Sequence, residues 1–364
     1  MSEPRLSVII TTFNRPRLVQ EAIESVLGQD VGPPFEIVVV DDGSTGETRD
    51  ALQRFGRAIR YARQDNLGLN PARNHGLRIV QGDLVAILDD DDIWLPFKTR
   101  TLLPALARHP EAGFVHSNFF VWKPERDERH PDGLHTWFPR PFTWPELYRE
   151  RTDVAVPAAP GRASDGAGGG LDRDARTVEA WVGDLYYWSL FSPMVLPSTA
   201  IVRRSALGGN TWFYDENQVG DWEFFARLSH RCGGVFVPIE TTLNRSHDDA
   251  FRLTRAGATI RVLRRIGLIR RVWRSDPEFI RAHGDELDRV EAGCLRQLAK
   301  ASIIAGDYAT AREAMQTVGV LPGQGRTSDA LLRAAALVPG TASAIGALRW
   351  LRGRLPARKR ARGF

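Results

Sequence analysis

The sequence predicts an α/β fold, with a mostly parallel sheet flanked by helices and a helical C-terminal extension. Three observations lead there. From residue 6 to about 122, apolar runs of four to eight residues alternate with amphipathic stretches, and strands that are apolar on both faces and joined by helices form a parallel sheet covered on both sides. Three of these runs end in clusters of polar residues rather than plain turns. Beyond about residue 251 the apolar periodicity is helical to the end of the chain.

The elements follow in order. "LSVIITTF" (6–13) is a strand, followed by a helix pattern over 16–28. "EIVVVDDGS" (36–44) is a second strand running into a helix over 45–55. "AIRYARQ" (58–64) and "DLVAILDDDD" (83–92) flank a helix at 70–80, "NPARNHGLRIV". The succession is Rossmann-like. Asp92 reads as the N-cap of a helix beginning in "IWLPFKTR". Residues 123–180, rich in Pro, Trp, Arg and Gly, read as a looser insertion, with the low-complexity stretch 158–170 as a mobile loop. Order returns at 181–250 with the strand-like "PSTAIVRRSAL" and a helix near "DWEFFARLSHR". In the extension (251–364), "CLRQLAKASIIAGDYATAREAMQTV" reads as one tetratricopeptide-like hairpin turning at Gly306. A single such unit is not an array.

Composition bounds the function. At 364 residues, 43% apolar and 26% charged, the chain can bury a large core. Cys232 and Cys294 are its only cysteines and lack metal-ligand spacing, so disulfide frameworks and structural zinc are not expected. "MSEPRLSVII" has no secretory pattern, and no apolar run approaches the ~18 residues of a membrane span. A cytoplasmic protein is expected. The net charge of +5 belongs to the tail: residues 343–364 carry seven Arg or Lys and no acid, leaving 42 basic against 44 acidic residues elsewhere. A nucleic-acid-binding body is therefore not implied.

Ligands of open parallel sheets sit outside the carboxyl ends of the strands. Here three such ends carry Thr11, Thr12 and Asn14; Asp41, Asp42 and Ser44; and the run Asp89 to Asp92. Like charges ~4 Å apart repel by roughly 4 kcal/mol per pair at an effective dielectric near 20, so the acidic run calls for a positive partner. A crevice rich in carboxylates suits Mg²⁺ or Mn²⁺, held by one or two carboxylates and a bound diphosphate. Arg73 could offer a two-pronged contact to the same phosphates. No dinucleotide or P-loop fingerprint occurs.

Taken together, "SVIITTFNRP", "EIVVVDDGS", "NLGLNPARNHGL" and "LVAILDDDDIWLP", in this order and spacing, resemble the nucleotide-sugar-binding half of family 2 glycosyltransferases of GT-A fold. The similarity is strong over residues 5–122. It continues more weakly through "VGDWEFFARL" to "RSHDDAFRLT", so that 1–250 reads as one GT-A domain with an acceptor-side half at 181–250. The resemblance implies an inverting, metal-assisted transfer from a nucleoside-diphosphate sugar to a hydroxyl of a glycan or lipid-linked acceptor, in surface polysaccharide or glycoconjugate assembly. It further implies that Thr11 and Asp42 contact the base with Asp41 close by, that Arg73 lies near the base or diphosphate, and that Asp90 approaches the ribose. Asp91, closing the D-x-D begun by Asp89, would ligate the metal, with His247 reaching it from the second half. Asp221 matches the catalytic base. Gly220 stands where the family usually has a glutamate.

Acceptor activation supports Asp221 independently, because the hydroxyl must lose a proton to a carboxylate within hydrogen-bond reach. Trp222, Phe224 and Phe225 could wall that site. A non-catalytic nucleotide- or glycan-binding scaffold is the alternative, with Gly220 in its favour. A D-x-D phosphatase is disfavoured because the motif lies on about the fourth strand. In the tail, Leu348, Trp350, Leu351 and Leu355 among arginines suit peripheral contact with anionic lipid at the inner membrane face, or else a solvated end.

Overall fold

The computed structural model describes residues 5–30, 35–138, 141–156, 176–208, 213–214, 219–246, 257–323 and 327–337. The chain forms two compact units, Met1–Arg252 and Leu253–Phe364.

The strands of the first unit are β1 (Leu6–Thr12), β2 (Phe35–Asp41), β3 (Arg60–Arg63), β4 (Leu84–Asp89), β5 (Ile93–Trp94), β6 (Phe114–Lys123), β7 (Glu128–His130), β8 (Glu150–Val156), β9 (Arg176–Gly183), β10 (Ile201–Arg203) and β11 (Gly234–Arg245). Its helices are α1 (Pro16–Leu27), α2 (Gly46–Leu52), α3 (Leu69–Ile79), α4 (Lys98–Arg108), α5 (Gly133–Trp137), α6 (Trp144–Leu147), α7 (Tyr186–Ser189) and α8 (Gly220–Cys232). All the strands join one sheet, whose main path runs β3-β2-β1-β4-β10-β6-β11-β9-β8, with β5 beside β11 and β7 beside β6. β3, β2, β1 and β4 are mutually parallel, as the sequence predicts. The short β10 is antiparallel to both β4 and β6, and β6 and β11 return to parallel pairing.

β1 shows why its apolar run reads as a strand buried on both sides. Leu6, Val8 and Ile10 pack with Val19, Ile23 and Val26 of α1 and Leu102 and Leu106 of α4. Ile9 points the other way, into a core shared with Ala72 of α3 and Phe224, Phe225 and Leu228 of α8. Each such aliphatic side chain contributes roughly 1.5–3 kcal/mol on burial. The consequence for function is positional, since α3 and α8 lie on the same face of the sheet. Gly76 lets α3 approach, because a Cβ there would stand 2.4 Å from Ile9 Cγ2.

Two expectations need correcting. Asp92 caps no helix: residues 93–94 form β5, paired with Thr242 and Leu243 of β11, and α4 starts only at Lys98. The insertion is far from loose over its described residues. β8 and β9 pair along their whole length and extend the sheet beyond β11, and Tyr148, Phe142 and Trp181 are buried. The predicted mobile loop 158–170 and the basic tail 343–364 lie outside the described residues.

The second unit comprises α9 (Ala258–Val272), α10 (Pro277–Ala305), α11 (Tyr308–Val320) and α12 (Thr327–Leu337). Asp276 caps α10 by accepting from the backbone N–H groups of Glu278 and Phe279. Gly306, at φ +80°, ends that helix and opens the expected α10–α11 hairpin. Glu291 ties α9 to α10 by accepting from Arg270 and Arg274. The buried pair Arg296–Asp329 ties α10 to α12.

Candidate active site

The three polar strand ends are hydrogen-bonded to one another. β1 lies between β2 and β4, with Thr12 opposite Asp41 and Thr11 opposite Asp89. After β1, Asn14 takes the left-handed conformation (φ 53°) that asparagine tolerates. There its amide N–H donates to Ser44 Oγ and its Oδ1 accepts from Thr45 N, both at 2.8 Å. On the other side Thr12 Oγ1 donates to Asp90 Oδ2 at 2.8 Å. The predicted crevice is thus a cross-linked rim.

Asp41 and Asp42 build that rim. Asp41 accepts from Ser44 N, Tyr61 Oη and Arg63. Asp42 accepts from Gln64 Nε2 and the backbone N–H groups of Leu67 and Gly68, fixing the loop that leads into α3. Between them and Ser44, Gly43 (φ +86°) makes a turn with no room for a side chain, since a Cβ would meet Asn66 N at 2.8 Å. Thr11 is buried, and its Oγ1 makes no hydrogen bond among the described residues.

The acidic run finds its counter-charges inside the chain. Arg15, just before α1, donates to Asp90 Oδ1 at 2.9 Å and to Asp91 Oδ2 at 3.1 Å. Arg73, 3% exposed on α3, donates to Asp89 Oδ1 at 2.6 Å. Asp92 turns inward and accepts from Asn244 Nδ2 and Arg245 N of β11, while Arg245 Nε donates to the carbonyl of Asp91. Register shifts along β11 between Val237 and Leu243 carry its end to this turn. Burial, reinforced by the charge of Asp91, pushes Asp90 up to about 7. Burial and then Asp91 and Asp89 push Asp92 well above the usual carboxylate range. Both oxygens of Asp90 are engaged and its side chain is buried, so it is not presented to a ribose in this state.

The starts of α3 and α8 come together, Gly220 facing Asn70, so that the charges of Arg73 and Asp221 act on each other. Asp221 stands in the first turn of α8, where a carboxylate is favoured by the helix dipole, and its Oδ1 accepts from Trp222 N. Burial raises its pKa, against the opposing charge of Arg73, and Asp89 adds to the rise. Burial disfavours the charge of Arg73, but Asp89, Asp221 and Asp91 overcome it and the guanidinium stays protonated. Phe213 fixes the relative placement: its backbone exchanges two hydrogen bonds with the Asn74 amide (2.8 and 2.9 Å). The Phe213 ring stacks on Phe224 at 4.3 Å, and Arg73 covers it at 5.0 Å. Phe224 and Phe225 are core residues rather than a wall facing an acceptor; only Trp222 is partly exposed, its Nε1 donating to Ser189 O.

Among the described residues no three His, Cys, Asp or Glu side chains gather into a metal cage. A hard dication held by one or two carboxylates and a diphosphate needs none. Asp89 and Asp91, 25% and 23% exposed, are the partly open carboxylates of the run, so the donor set fits such an ion. His247 lies outside the described residues. A cavity of about 340 Å³ lined by Asp83, Leu84, Arg203, Arg204 and Ser205 sits at the opposite end of β4 and contains none of these groups.

The site thus brings together Asp89, Asp91, Arg73 and Asp221, with Thr11, Asp41, Asp42 and Asp90 in its supporting rim. Sequence reasoning placed Asn14 at the crevice but missed Arg15, Asn70, Asn74 and Phe213. Arg15 stands inside the first quoted motif, and Asn70 and Asn74 inside the third; Phe213 carried no signal.

Residues 7–167 match the family described as Glycosyl transferase family 2. A GalNAc(5)-diNAcBac-PP-undecaprenol β-1,3-glucosyltransferase of Campylobacter jejuni is 39% identical over 118 residues, 31% of this chain and 37% of that protein. Validoxylamine A glucosyltransferase of Streptomyces hygroscopicus is 35% identical over 138 residues, 36% of this chain and 30% of that protein. The chain thus spans about a third of the length of these relatives. Among solved structures, residues 1–349 of S. aureus TarS in complex with UDP-GlcNAc give a TM-score of 0.60 at 14% identity, covering 97% of this chain and 93% of that one. A Pyrobaculum calidifontis mannosyltransferase with GDP-Man and Mn²⁺ gives 0.51 at 16% identity, covering 98% and 89%. The fold is the GT-A fold that the four motifs imply.

Proposed function

Because residues 7–167 are a family 2 glycosyltransferase domain, we propose that this protein transfers a sugar from a nucleoside-diphosphate sugar to an acceptor hydroxyl, inverting the anomeric centre in a single displacement. The observation that carries this reading is the approach of the start of α8, through Gly220, to Asn70 and Arg73 on α3, where Arg73 pairs with Asp89 and its charge acts on Asp221. One carboxylate for the proton, one guanidinium for phosphate and a partly exposed D-x-D pair are the groups that such a transfer needs.

Asp221 takes the proton of the acceptor hydroxyl as it attacks, a contribution of about 10² to 10⁴ in rate. Its raised pKa brings it closer to the operating range of a base. Arg73 stabilises charge on the departing diphosphate and holds Asp89 in place. The rim built by Asp41, Asp42 and Thr11 shapes the floor for the base. Asp89 and Asp91 would hold Mg²⁺ or Mn²⁺, which as a Lewis acid would neutralise the leaving diphosphate.

Two of the relatives are named as glucosyltransferases, one of them for an undecaprenol-linked acceptor. That supports a glycan or lipid-linked acceptor and a place in surface polysaccharide or glycoconjugate assembly at the inner membrane face. Among the described residues no helix is long and apolar enough to cross a membrane. The scaffold alternative loses its hint, since Gly220 has a steric explanation in Asn70.

The test is turnover of a UDP-, GDP-, CMP- and dTDP-sugar panel with Mn²⁺, followed by product analysis. Asp221→Asn is expected to lower turnover by about 10² to 10⁴ while nucleotide-sugar binding is kept. Slow turnover indifferent to that substitution would point to the scaffold instead.

A further inference from the structure

We infer that Arg15 is the resident cation of the acidic turn, and that a divalent ion at Asp91 binds in competition with it. The inference rests on the assignment of Asp91 as a metal ligand proposed above.

Its basis is geometric. One guanidinium nitrogen of Arg15 lies 2.9 Å from Asp90 Oδ1 and 3.1 Å from Asp91 Oδ2, bridging two consecutive carboxylates as a bound cation would. Arg15 is placed there by its neighbours. Asn14 pins the preceding turn to Ser44 and Thr45, and Pro16 fixes the first position of α1 just after it. The side chain is 22% exposed, so it can leave toward solvent without unpacking a core. The two carboxylates it bridges are not equivalent. Asp90 is buried and keeps a second partner in Thr12, whereas Asp91 is partly open and is the one an entering ion could reach.

A dication and a guanidinium cannot share Asp91 Oδ2 at contact distance, because their mutual repulsion would cancel much of what either gains. In the free protein the metal therefore meets an occupied carboxylate. A diphosphate shifts the balance, since it adds ligands for the metal and offers the released guanidinium a new anionic partner. Metal binding is thereby made to wait for the donor.

The test titrates Mn²⁺ alone into the nucleotide-free full chain, following free Mn²⁺ by electron paramagnetic resonance. Arg15→Gln is expected to bind Mn²⁺ about tenfold tighter or more, a unit charge next to a dication having been removed. Arg15→Lys, which keeps the charge on a shorter and differently shaped side chain, should fall between it and wild type. This second variant also covers the case in which Arg15→Gln folds poorly. Asp91→Asn should lose Mn²⁺ binding, and the gain from Arg15→Gln should vanish in the Asp91→Asn background.

Loss of binding in Asp91→Asn with no tightening in Arg15→Gln overturns the role of Arg15 alone and leaves the metal assignment standing. Undiminished Mn²⁺ binding in Asp91→Asn removes the assignment itself, and the present inference with it.

Discussion

Gly220 faces Asn70 so closely that a Cβ added to the glycine would stand 2.2 Å from Asn70 Nδ2 and 2.7 Å from its Cγ. The Asn70 amide cannot simply retreat, because Nδ2 donates to the carbonyl of Tyr214 and Oδ1 faces Arg73. The position before Asp221 is therefore closed to any side chain. The departure from the Glu-Asp pair of the family is thus one half of a paired arrangement whose other half lies on α3.

A substitution tests that pairing by the sign of its effect. At an unstrained site, Gly to Ala stabilises by roughly 0.4–1 kcal/mol through the unfolded chain. Overpacking costs roughly 1–3 kcal/mol. Gly220→Ala should therefore lower the melting temperature, and Asn70→Ala/Gly220→Ala should be at least as stable as Asn70→Ala alone. A single Gly220→Ala variant that melts higher than wild type would show that the contact is not tight.

Much of this architecture is legible in the sequence, for a physical reason. Parallel strands expose their carboxyl ends along one edge, so Thr11, Asp42 and Asp89 could be placed together without knowing any contact. What escaped is what depends on partners remote in the chain. "IW" reads as a helix start because its strand partner, Thr242–Leu243, lies about 150 residues on. Asp41 and Asp42 read as ligands, and polarity alone gave no sign that their carboxylates also brace their own turn. The acidic run called for an external cation because Arg15, 75 residues away, gives no local sign of reaching Asp90. Tryptophan and proline made residues 123–156 look irregular, although β8 satisfies its backbone by pairing with β9.

The Asn74 amide is the staple between α3 and the segment that leads into α8. Asn74→Ala would leave a buried N–H and C=O of Phe213 unpaired, for a loss on the order of 2 kcal/mol. Since Phe213 separates Arg73 from Phe224, the variant should also lower kcat more than it raises the donor KM. Steady-state kinetics with a saturating acceptor check this; a change confined to donor KM would mean that the staple does not position Asp221.

His116 should make stability sensitive to acid. Burial, and then the charge of Lys98, hold its pKa down at about 3, and its Nδ1 is buried with no hydrogen-bond partner among the described residues. A ring that is neutral in the folded state and free to protonate when unfolded contributes stability that is fully present above pH ~6.5 and is lost as the pH falls toward ~3, on the order of 5 kcal/mol in all. His116→Phe, among the rings of Phe114, Phe236 and Tyr148, should flatten this part of the acid limb. Urea midpoints from pH 7 to 4 provide the measurement, and parallel profiles for the two proteins would refute the assignment.

Asp221 should set the acid limb of the rate profile. As the base it must be unprotonated, and because burial raises its pKa, kcat/KM should fall on the acid side at a higher pH than for an ordinary aspartate. Its two charged neighbours act in opposite senses. Arg73 lowers that pKa, so Arg73→Gln should move the limb to higher pH. Asp89 raises it, so Asp89→Asn should move the limb to lower pH. Both variants will also weaken donor and metal binding, but that loss scales the whole curve, whereas the position of the limb reports the base in the free enzyme. Opposite displacements by two substitutions, neither of them at the titrating residue, are hard to produce by any group other than the one lying between them. If the two limbs move together, or if neither moves, the proton acceptor is not Asp221.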